Sequence, residues 1–167
     1  MKLTLLVGAV VVGLGATLVM DLWAVLLKLA FKIPSPNYCF VGRWLRHMTD
    51  GVFTHPSIAA AARKPAECTI GWIAHYTIGV LFALVFVGLT TLQWLQSPTL
   101  IPALIFGIIT VGMPFFIMHP SFGLGLAASK APNPMQARLR SLMNHTAFGV
   151  GLYVSALVMS SIIEVHA

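Results

Sequence analysis

The chain has 167 residues; 58% are hydrophobic, 8% are charged, and the formal net charge is +6. Soluble domains run to about 45–50% apolar and about 25% charged residues. This composition therefore excludes a water-soluble globular domain and requires a bilayer to cover the apolar surface.

A membrane-crossing helix needs about 20 consecutive apolar residues. The first stretch that qualifies covers about 3–31. It is longer than the apolar core of a cleavable leader, and Asp21 and Trp23 stand where a cleavage site needs small residues. It reads as a retained span. Gly13, Thr17, Asp21, Ala24 and Lys28 fall on one helix face. Small residues on such a face form a close-packing seam, and the carboxylate of Asp21 must point into the bundle rather than at acyl chains.

A basic segment follows at about 32–69. Ser35 as cap and Pro36 as first residue predict a helix start. Phe40, Val41, Trp44, Leu45 and Met48 against Arg43, Arg46 and His47 predict a short amphipathic helix in the headgroup plane, ended by Thr49, Asp50 and Gly51. Cys39 and Cys68 are expected to be two free thiols near the cytoplasmic face, because disulfides are rare there.

The second span covers about 70–92, and an uncharged link leads to the third at about 100–118. Pro114 predicts a kink in the third span. A second basic segment at about 119–138 precedes the fourth span at about 139–163, with Asn133 and Pro134 as its cap and first residue. The expected architecture is all-α: one membrane domain over residues 1–167, four transmembrane helices and one short interfacial helix.

Charge placement predicts orientation. Lys32, Arg43, Arg46, Arg63 and Lys64 lie in the first basic segment, and Lys130, Arg138 and Arg140 lie in or beside the second. The positive-inside rule puts both segments in the cytoplasm and both termini in the periplasm of a bacterial inner membrane. The expected partners are the bilayer itself, anionic headgroups at the cytoplasmic face and further copies of the chain in a homo-oligomer. The basic residues are split between loops, so a nucleic-acid partner is not expected.

A shift of seventy residues lays Gly71 on Ser141, His75 on His145, Gly79 on Gly149 and Val80 on Val150. This predicts two similar helix-pair halves in parallel orientation. His75 and His145 are the sharpest functional candidates, because an ionisable ring at membrane depth is costly. Three roles compete. The rings can stabilise the bundle through hydrogen bonds, line a polar site for a solute or proton, or ligate a metal such as the iron of haem b. Asp21 is their natural acidic partner, and Thr17, Tyr76 and Asn144 can add hydrogen bonds. Four acidic residues in all leave little scope for multi-carboxylate metal catalysis. Transport or permeation is the favoured function, ahead of a haem- or quinone-binding redox protein and a non-catalytic scaffold. Enzymatic activity is not the expectation.

The stretch from Gly13 through Asp21 to Trp23 resembles a bacterial family of integral-membrane proteins of unknown function. So do Ile33-Pro-Ser-Pro-Asn-Tyr38, Gly42-Arg-Trp-Leu45, Gly71-Trp-Ile-Ala-His75-Tyr76 and Arg138-Leu-Arg-Ser-Leu142. The resemblance implies a small four-helix inner-membrane protein and brings no activity with it.

Overall fold

A computed structural model describes residues 2–165, and it contains helices and turns with no strand among the described residues. In chain order the helices are α1 (Lys2–Phe31), α2 (Tyr38–Met48), α3 (Glu67–Gln96), α4 (Leu100–Ile109), α5 (His119–Ser121) and α6 (Pro134–Val165). Four helical segments are long and apolar enough to cross a membrane: Leu6–Phe31, Glu67–Thr91, Leu100–Ser121 and Pro134–Ser161. Each lies within a few residues of its expected span. Only 22% to 39% of each span's most apolar window is buried inside the protein. Side chains such as Leu18, Leu22, Leu81 and Ile105 face outward. An apolar exterior of this extent suits acyl chains and not water, as expected of a multi-pass membrane protein.

The chain divides into two compact units. The first holds the chain up to Ser35, Tyr76–Thr110 and the chain from Asn144; the second holds Pro36–His75 and Val111–Met143.

In the first unit, Ala9, Val12, Ala16 and Met20 form the buried stripe of α1, and Phe148, Leu152 and Ala156 form that of α6. Ala83, Phe86, Val87, Trp94 and Leu95 of α3 and Ala103 of α4 complete the core. Lipid tails are as apolar as the helices, so packing rather than water expulsion holds such a bundle, and small residues allow the closest packing. The glycines show where. A Cβ on Gly13 would press on Val80 and Gly79, and a Cβ on Gly107 would press on Gly149. Gly79 and Gly149 are the positions paired by the seventy-residue shift. Each half therefore makes the same crossing: α1 on α3 in one, α4 on α6 in the other. Along the predicted seam of α1, Gly13, Thr17 and Ala24 are buried and Asp21 partly so, while Lys28 at its end is exposed. Helix α3 breaks at Thr91, which has a φ of 69°, and the link after it begins as the end of that helix.

In the second unit, α2 begins later than the sequence suggests. Its cap is Asn37, whose side chain accepts from the Cys39 backbone N–H at 3.1 Å. The hydroxyl of Ser35, the last residue of the first unit's opening segment, instead donates to the Ala24 carbonyl of the same unit. The apolar face of α2 is also used differently. Val41 and Trp44 pack against Ile58 and Phe122 in the unit's own core, so α2 is held by protein rather than lying free on a membrane surface. The Trp44 indole donates to the Phe53 carbonyl at 2.8 Å. His55 N–H donates to the Ser121 carbonyl and Ile58 N–H to that of Phe122, which pins the 52–62 loop. The kink predicted at Pro114 is a π turn over Pro114–Met118. Asn133 caps α6 as expected, its side chain accepting from the Gln136 N–H at 3.1 Å.

Candidate functional site

The expected polar residues fall into two sets, one in each unit. In the first unit the Tyr76 hydroxyl is hydrogen-bonded to the Asp21 carboxyl. Four residues before Asp21 on the same face of α1, Thr17 is 1% exposed. Its hydroxyl donates to the Gly13 carbonyl at 2.8 Å and faces Gly79. In the other half, His145 Nδ1 lies 2.8 Å from the Thr110 hydroxyl, and that hydroxyl donates to the Gly107 carbonyl at 2.6 Å. Thr110 has one proton to give. With that proton on Gly107, Nδ1–H of His145 donates to Thr110, and Nε2 becomes the nitrogen that accepts. Asn144, beside His145, is buried. Each half thus sets one ionisable group next to one hydroxyl.

His75 belongs to the second unit. Its ring stacks on that of Tyr38 at 3.9 Å and 20°. Trp72 meets Tyr38 edge-on at 4.7 Å and His75 at 6.0 Å.

The small residues beside the histidines do not leave open slots. A Cβ on Gly71 would overlap the Tyr38 carbonyl, one on Gly79 the Thr17 hydroxyl, and one on Gly149 the Ala103 carbonyl. Neighbouring chain already fills the space that a flat macrocycle would need at these three positions.

Two features escape the sequence reading. The first corrects it: Cys39 and Cys68 are not free thiols but form a disulfide. Gly42 and Gly71 let α2 and α3 cross with their backbones touching. Each cysteine stands three residues before one of these glycines, so the crossing sets residue 39 beside 68, with Cα atoms 3.9 Å apart. The repeated Cys-x-x-Gly pattern is the signal that could have revealed the bond.

The second feature is Arg43, which the sequence presents as one charge on the polar face of an amphipathic helix. It is 4% exposed. Its Nε and Nη2 form a two-pronged pair with Glu67 at 2.9 and 2.7 Å. Its Nη1 donates to the carbonyls of Ile58, Ala59 and Ala61. The Glu67 hydrogen bond raises the Arg43 pKa against the opposing effect of burial. Every prong of the guanidinium is used, and this makes Arg43 a structural clamp. Nearby, His55 is 8% exposed and meets the His47 ring edge-on at 4.8 Å. Burial, and then the neighbouring His47, holds the His55 pKa below the usual imidazole value.

A family profile for proteins of unknown function, DUF2938, fits residues 10–159. The chain belongs to the DUF2938 family. The matched region includes Asp21, Tyr76, His145, His75, Arg43 and both cysteines. Among the curated proteins and the solved structures, none matches the chain.

Proposed function

We propose that this DUF2938 member lets a small solute or protons cross the membrane, with Asp21, Tyr76, Thr17, Asn144 and His145 as its polar site. One observation carries the reading: Asp21 and His145, both inside candidate spans, are each partnered by a hydroxyl group. Ionisable residues at membrane depth usually serve a function. Hydroxyl and imidazole groups both donate and accept, so such a set can take up and release a proton or a hydrogen-bonding solute. His75 is a further site residue on this reading, supported by its own place in the second span.

The orientation is part of the proposal. Of the ten Lys and Arg residues, all but Lys2 lie at the inner end of the first span, in the two basic segments or at the start of the fourth helix. This bias supports a bacterial inner membrane with those segments cytoplasmic, near anionic headgroups, and both termini periplasmic. We also propose a homo-oligomer, since four spans alone enclose little pathway.

The test is proton flux into liposomes holding purified protein and a pH-sensitive dye. Asp21→Asn and His145→Gln are expected to lose flux while helical content and thermal unfolding stay as in the parent. Tyr76→Phe should lose part of it. Normal flux in both of the first two variants overturns the reading.

A further inference from the structure

We propose that the Cys39–Cys68 bond is a redox-reversible staple that holds the Tyr38 ring over His75 and so regulates access to that imidazole. The inference rests on the proposed role of His75 in permeation. Tyr38 is the first residue of α2, and the next residue is the bonded Cys39. The ring that covers His75 is therefore tied to the start of α3 through one peptide unit and one S–S bond.

The rest of the crossing does not depend on the bond. Gly42 lies against the Glu67 carbonyl and Gly71 against that of Tyr38. Arg43 clamps Glu67 and three loop carbonyls. Opening the bond leaves Tyr38 held at α3 only by its own backbone contact with Gly71, while Gly42 and Arg43 keep the rest of the helix in place. Cys68 is exposed and Cys39 partly so, which gives small thiols access. On the proposed orientation the bond faces the cytoplasm, where disulfides are mostly transient and redox-sensing.

The chemistry balances with two common reactants. The thiolate of a small cytoplasmic thiol attacks Sγ of Cys68, forms a mixed disulfide and releases the Cys39 thiolate, which takes a proton. A second thiol resolves the mixed disulfide. Two electrons have then passed from the thiols to the protein, leaving two Cys thiols and one small-molecule disulfide. In reverse, an organic hydroperoxide accepts two electrons from the Cys pair and leaves as alcohol and water.

The test compares oxidised and dithiol-reduced protein in liposomes. Alkylation of thiols gives the redox state, and diethyl pyrocarbonate labelling followed by mass spectrometry gives the exposure of the His75 ring. Reduction is expected to raise His75 labelling severalfold, hydroperoxide to restore the shielding, and Tyr38→Ala to match the reduced state. A Cys39→Ser/Cys68→Ser double variant should stay in the high-labelling state under all conditions. Reduced wild-type protein makes the same test should that variant fold poorly. His75 labelling that ignores redox state overturns the staple, whatever the flux. Labelling that follows redox state while no form of the protein passes protons supports the staple and overturns proton permeation instead. A bond that never forms, or that resists the dithiol, also overturns the staple.

Discussion

Arg43 shows how little a single residue reveals until its neighbours are known. By sequence it is one basic residue among several on an amphipathic segment. Burial makes it costly, and the fork of Glu67 with three carbonyls offsets that cost. Removing one member of a buried pair strands the other. Arg43→Met should therefore destabilise the protein by about 3–5 kcal/mol. Arg43→Lys should recover only part, because an ammonium cannot reach both carboxylate oxygens and the carbonyls together. Denaturant unfolding in detergent, followed by circular dichroism, measures both. Equal stability of Arg43→Met and the parent would rule out the clamp. The functional residues differ in this respect. Asp21, His75 and His145 are legible as sequence because an ionisable side chain in an apolar run is conspicuous. Tyr76 is legible as a hydrogen-bonding candidate but not as the partner of Asp21, and Thr110 and Tyr38 are unremarkable until the helices are packed.

The elements carry two further expectations. At the α4–α6 crossing, an added methyl at Gly107 would stand 2.5 Å from the Gly149 Cα. Gly107→Ala should cost about 1–3 kcal/mol through overpacking. Gly88 on α3 has open space around it, and Gly88→Ala should be neutral or stabilise by up to about 1 kcal/mol, because glycine weakens a helix interior. Thermal unfolding separates the pair, and equal losses would refute the crossing. The second expectation concerns the 52–62 loop. His55 Nε2 is buried with no hydrogen-bond partner among the described residues. His47 of α2 faces the ring, and His119 stands on the α5 segment to which the loop is bound. Burial favours the neutral ring, so the folded loop binds its proton less readily than the unfolded chain. Its stability is then fully present above the ordinary histidine value of about 6.5 and is lost as pH falls below it. Hydrogen exchange should show loop protection at pH 7.5 that fades under acid, and His55→Gln should flatten that profile. Identical profiles for the two proteins would remove His55 as the cause.

For the whole molecule, the sequence repeat and the charge bias matter most. The repeat rests on a few matched letters, but the matched glycines make corresponding crossings in the two halves, which chance similarity would not require. The proposed orientation has a direct check. Alkaline phosphatase joined after Ala167 should be active, because it matures only outside the reducing cytoplasm, whereas a fluorescent reporter inserted near Asp50 should glow. The opposite pattern would put the basic segments in the oxidising compartment and make the Cys39–Cys68 bond permanent there.

Hydropathy determined four spans and their approximate limits, and the identity of residue 114 determined the kink, since span length and a missing backbone N–H are local matters. It also marked the ionisable residues that lipid will not tolerate. Tertiary structure decided what those residues touch, where α2 begins and which face of it is covered. It also joined the two cysteines and buried Arg43 against Glu67. Each of these depends on segments distant in sequence coming within a few ångströms of one another, and no local pattern records that distance.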